Sequence, residues 1–118
     1  MNIQKILRYA YTVLENPAAL ADTDHHLLGH TENMAEDDIL WNKLIHCQKL
    51  RQEALDFEAD TNIVFLNSRS LKYEAAVIKL FDGDGLQYGN LIVTACNRPF
   101  LARDFENMRL ISENLWEQ

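Results

Sequence analysis

The chain has little of what marks the special protein classes. Its 118 residues include two cysteines, two prolines and four glycines. So few glycines and prolines exclude a collagenous or low-complexity chain. Cys47 and Cys96 are far apart and form no C-x-x-C pair, so zinc-ribbon and thioredoxin-type motifs lack their spacing. They read as two reduced thiols of a hydrophobic core. No apolar run nears the ~20 residues needed to cross a bilayer. Basic residues are also scarce, 11 against 18 acidic ones, for a net charge of −7. Phosphate contacts need a concentrated basic patch, so this piece is excluded as a nucleic-acid binder. Residues 1–7 carry Lys5 in an amphipathic pattern rather than the apolar core of a secretion signal, and the expected location is cytoplasmic. What remains, 47% apolar and 25% charged, is the composition of one globular domain over residues 1–118.

The patterning divides this domain into helices and strands. Ile3, Ile6, Leu7, Ala10, Val13 and Leu14 recur at helical spacing behind Asn2, the expected N-cap. That helix must stop near Glu15, because Asn16 precedes Pro17 and is pushed out of the α region. Residues 18–21 form a short apolar strand, residues 22–24 an aspartate-rich turn and residues 25–31 a returning strand. The acidic stretch 32–38 reads as a loop ending in Asp37-Asp38, which would cap a second helix with Leu40, Trp41, Leu44 and Ile45 on its apolar stripe. A further short helix is expected over 50–57. The β-branched run 61–66 then opens a group of three strands, continued by 73–81 and 86–96 across the hairpin signal Asp82-Gly83-Asp84-Gly85. A last helix begins at 101–104, with Leu101, Phe105, Met108, Ile111 and Leu115 at helical spacing. Strands joined by short turns, with helices before and after them, predict an α+β fold: an antiparallel sheet with flanking helices.

Few of the chemically capable residues converge. His25, His26 and His30 with Asp22 and Asp24 invite a metal reading, yet on a strand His26 and His30 would share one face and His25 the other. Three or four convergent ligands are lacking, and the expectation is no metal. Asp82-Gly83-Asp84-Gly85 begins like a calcium loop but continues with Leu86 and Gln87, where a ligand and a glycine belong. His46-Cys47, and Cys96 with any histidine, have no nucleophile motif around them. Gly29, Gly83, Gly85 and Gly89 form no phosphate-cradling loop. The chain is therefore expected to be no enzyme and to need no cofactor.

Three stretches together resemble the PAS/GAF-like sensor superfamily. A helix ends in Glu15-Asn16-Pro17-Ala18-Ala19-Leu20-Ala21-Asp22, and a second begins Asp37-Asp38-Ile39-Leu40-Trp41. The closing stretch has Gly89-Asn90-Leu91-Ile92-Val93, then Arg98-Pro99-Phe100 and Asp104-Phe105-Glu106. Their order is similar to that in the N-terminal sensor region of bacterial PucR-type (purine catabolism and sugar-diacid) transcription regulators. The resemblance implies an antiparallel sheet between helices that holds a small metabolite against one sheet face. It would place Trp41 against the sheet and give Asn67 and Arg69 to an anionic ligand, the arginine forking onto a carboxylate. Tyr73, Thr94 and Cys96 would add wall contacts. It also implies a homodimer through the terminal helices, where Tyr9, Tyr11, Leu115 and Trp116 are the candidate contacts. Such regulators carry a C-terminal helix-turn-helix domain that nothing here resembles. DNA would thus be met only by a domain absent from this chain, and the chain is expected to be a fragment of a longer regulator.

A reading from another class starts from the charge. Net −7, with acidic clusters over 32–38 and 56–60, suits a small acidic protein-binding factor such as an immunity protein or DNA mimic.

Overall fold

The computed structural model describes residues 2–24, 26–31, 58–60, 62–66 and 73–114. Helix α1 spans Ile3–Leu14 and begins where expected, the Asn2 side chain accepting from the Lys5 N–H at 3.1 Å. That cap satisfies one of the helix's orphan donors. Strands β1 (Ala18–Ala21) and β2 (Leu27–His30) form the first hairpin. Strands β3 (Glu58–Asp60), β4 (Ile63–Leu66), β5 (Ala75–Phe81) and β6 (Gln87–Thr94) follow, and helix α2 covers Ala102–Asn114. All six strands join one sheet in the order β2-β1-β6-β5-β4-β3, every pairing antiparallel. The expected α+β class, with helices flanking an antiparallel sheet, is what the protein adopts. Neither helix is long and apolar enough to cross a membrane.

The register explains which side chains form the core. Ala18, Leu20, Leu91, Val93, Ala76, Ile78, Leu80 and Ile63 alternate onto a single face by their cross-strand pairing. They form one buried cluster with Ile6, Leu7, Ala10 and Leu14 of α1 and Met108 and Ile111 of α2. Helix α1 lies against β1 and β2, α2 lies against β5 and β4, and the two helices touch. Phe65 sits under the start of α2, edge-on to Phe100 and stacked with Phe105 at centroid distances of 5.9 and 6.3 Å. On the opposite face Ala19, Ala21, Val64, Ala75, Ile92 and Thr94 are also buried.

Several expectations need correction. His26 is not part of a strand: the backbone closes a turn from Asp22 N–H to His26 C=O at 3.0 Å, and β2 starts one residue later. β3 was not anticipated, since Glu-Ala-Asp lacks the β-branched and aromatic residues that favour strands. Leu101 does not head the buried stripe of α2 but precedes the helix, 47% exposed. Asp104 takes that place, buried in line with Met108, Ile111 and Ser112. It is held there because its carboxylate accepts the Leu101 N–H at 2.7 Å, one arm of a capping box. Cys96 is free and only half-buried beyond the end of β6, not part of the core. The helices expected over residues 38–57, with Cys47 and the loop 32–38, lie outside the described residues.

Tyr88 packs against the core cluster with its hydroxyl oxygen out of solvent and without a hydrogen-bond partner among the described residues. Burial, with the nearby charge of Asp82, pushes its phenol above the usual tyrosine range. Because a buried unsatisfied hydroxyl is costly, Tyr88→Phe is expected to stabilise the protein by about 1 kcal/mol. Urea melts of the two proteins check this, and a destabilised variant would reveal a partner for the hydroxyl.

Candidate functional site

Strand register brings three of the expected wall residues to one corner. Ala75 of β5 pairs with Thr94 of β6, and the Ala95 N–H donates to the Glu74 C=O at 2.8 Å. Tyr73, two residues before Ala75, and Cys96, two after Thr94, therefore flank the same end of the β5–β6 pair. Thr94 is fully buried, on the sheet face away from α1 and α2, and its hydroxyl donates to Cys96 Sγ at 3.6 Å. Tyr73 and Cys96 are half-buried. The corner thus carries a hydroxyl, a thiol and a phenol. Trp41, Asn67 and Arg69 lie outside the described residues.

A second polar cluster joins the two ends of the described chain. Asn16 is fully buried between α1 and β1. Its Nδ2 donates to the carbonyls of Leu14 at 3.3 Å and Arg98 at 3.1 Å. Its Oδ1 accepts the N–H groups of Asn97 at 2.9 Å and Arg98 at 3.2 Å. Every donor and both lone pairs of the amide are used. Asn97 Nδ2 returns the contact to the Glu15 carbonyl at 3.1 Å.

Arg98 is the charged hub of this junction. Its terminal nitrogens fork onto the Asp104 carboxylate at 2.7 and 2.9 Å, and its Nε meets Glu15 Oε2 at 2.6 Å. The Arg98 fork, with the Leu101 N–H behind it, holds the Asp104 carboxyl below the usual carboxylate range despite its burial. The signal available in the sequence was an arginine ahead of a proline and an aspartate three residues into a helix. Asn16, which bonds the backbone of Arg98, is 82 residues away from it, and no local pattern links the two.

Asp22, Asp24 and His26 bring their ligand atoms within 4.8 Å of one another. The arrangement belongs to the turn. Asp22 Oδ1 accepts the N–H groups of Asp24 and His26 at 2.9 and 2.8 Å, while Oδ2 meets His26 Nδ1 at 3.2 Å. The His26 N–H is the foremost cause of the lowered Asp22 pKa. The second hairpin repeats the device without a histidine, Asp82 Oδ1 accepting from the N–H groups of Asp84 and Leu86 at 2.9 and 3.0 Å. An aspartate tying down the backbone two and four residues on is a turn-forming motif in both places.

Comparison with known protein families, with curated proteins and with solved structures found no match for this chain.

Proposed function

We propose that this chain is the ligand-sensing domain of a PucR-type bacterial transcription regulator, PAS/GAF-like in architecture and cytoplasmic. In this reading a small metabolite binds the sheet face that carries Thr94 and biases the terminal helices. The observation that carries the reading is the meeting of two of the stretches on which the resemblance rests. Glu15-Asn16-Pro17 and Arg98 with Asp104 form one hydrogen-bonded junction between the terminal helices. A ligand acts through such a frame only by favouring one helix arrangement over another. Tyr9 and Tyr11 on α1 and Leu110 on α2 are 42%, 40% and 51% exposed, which supports homodimer contacts through the terminal helices. No described side chain favours the acidic-binder reading, whose clusters at 32–38 and 56–60 lie outside the described side chains.

Thermal denaturation with purine-breakdown metabolites and sugar diacids as probes tests the proposal. A ligand present at 100 times its Kd adds about 2.7 kcal/mol. For a domain of this size that raises Tm by roughly 10 °C. Thr94→Val is expected to remove the shift while leaving the unliganded Tm within a few degrees. If no probe in the panel moves Tm, the reading fails.

A further inference from the structure

The two halves of the Arg98 junction differ in exposure. The Asp104 side chain is 1% exposed and bonds the guanidinium through both oxygens, so this half is fixed in the fold. The Glu15 side chain is 57% exposed and holds Arg98 through Nε alone. Arg103, 65% exposed on the first turn of α2, approaches the same Glu15 oxygen at 3.7 Å. Exposed ion pairs are weak and easily exchanged for water, whereas buried bidentate pairs are not.

The backbone beneath Glu15 gives a second, independent indication. Glu15 closes α1 in the left-handed region, at φ 59°, and is the sole non-glycine residue with positive φ among the described residues. Glycine is the usual residue there because it has no Cβ to clash, so a glutamate carries a conformational cost that glycine avoids. The glutamate that stands there sends its side chain to Arg98 and Arg103, while its backbone bonds the Tyr11 carbonyl and Asn97 Nδ2.

We propose that Glu15 is a releasable pin that couples the C-terminal end of α1 to the N-terminal end of α2 through Arg98. With the pin engaged the two helix ends move together. With it released, Asn16 and Asp104 still hold the fold, but their bonds to the junction amides open more often and α2 gains freedom of its own. The inference bears on the sensor reading, because α2 is the element through which that reading sends its signal. Its test needs neither ligand nor output domain, so each can fail without the other.

The test is amide hydrogen exchange by NMR on the full chain and on Glu15→Ala and Glu15→Gly. The reporters are the junction amides of Asn97, Arg98, Leu101 and Asp104, each bonded within the junction. Ile92 and Val93 in the central strand β6 are the internal reference. Coupling predicts that both variants exchange the junction amides at least fivefold faster, with Ile92 and Val93 unchanged. Glu15→Gly separates the explanations, since it removes the pin and the backbone strain together. If Glu15 matters only as a helix end, the glycine variant slows exchange at the junction or leaves it unchanged, and the proposal is overturned. Acceleration of Ile92 and Val93 by the same factor would also overturn it, as general loss of stability.

Discussion

Asp104→Asn is expected to cost the protein about 3 kcal/mol, the penalty for removing one partner of a buried ion pair and leaving the other charge uncompensated. Arg98 is 19% exposed, so it retains a little solvent but cannot turn away without leaving the Pro99 carbonyl and Glu15 that also hold it. The Leu101 N–H keeps an amide oxygen as acceptor in the variant, which keeps the loss from being larger. For a chain of 118 residues the change corresponds to a fall in Tm of about 12 °C. Chemical denaturation at pH 7 with the slope m unchanged would identify the loss as one of stability rather than of compactness. The same carboxylate predicts the acid side of the stability curve. Its folded pKa lies below the ordinary 3.8, so its contribution is present in full above the unfolded value and is lost as pH falls through the folded one. Stability should therefore drop below about pH 4. In Asp104→Asn that part of the slope should be flatter. An equal slope in the two proteins would mean that other carboxylates govern acid unfolding.

Gly89→Ala is expected to destabilise by about 2 kcal/mol, within the range for overpacking a filled interior. A Cβ at this position would stand 2.6 Å from the backbone oxygen of Ala21, closer than any such contact tolerates. The obstruction is main chain, so no side chain can swing aside to relieve it. β6 lies between β1 and β5, and relief requires that β1 be pushed away from it. The damage should consequently concentrate in the β1–β2 hairpin, whose amides are expected to lose protection before those of β5. Gly85 is the contrast. It lies in the left-handed region at φ 79° with open space around it, so its replacement strains the turn without moving a strand. Uniform loss of protection across all six strands in Gly89→Ala would count against a local clash.

The parts of the fold written in short-range pattern are legible in the sequence. The spacing of Ile6, Leu7, Ala10 and Leu14 shows one buried helix face. The Asp-x-Asp repeats mark both hairpin turns because each aspartate bonds backbone only two and four residues on. Gly89 within the last strand could be seen but not explained, since its reason is the Ala21 carbonyl on a strand far away in sequence. The Asn16-Pro17 pair predicts that α1 ends near Glu15, and it does end at Leu14, with Glu15 closing it in the left-handed region. The larger role of Asn16, bonding the backbone of Asn97 and Arg98, depends on closing a loop of about eighty residues that leaves no local trace. Leu101 and Asp104 exchanged their expected places because helical periodicity weighs hydrophobicity, whereas Asp104 is buried by its bonds to Arg98 and Leu101. At the candidate corner, Thr94, Cys96 and Tyr73 were named from the resemblance alone. They stand together because of the β5–β6 register, and their joint use in binding stays a proposal.

Because β1 pairs with β6, the sheet joins strands from opposite ends of the described chain. A nascent chain emerging from the ribosome in order exposes α1 and the β1–β2 hairpin first, and a lone two-stranded hairpin is marginal in water. That hairpin has no partner strand until residues 87–94 have left the tunnel. The apolar face of α1 must wait with it, and long-range closures of this kind are slow and open to aggregation. A ribosome stalled before residue 87 should thus hold the β1–β2 hairpin without its partner strand, and the core should close only once β6 and α2, with Met108 and Ile111, have emerged.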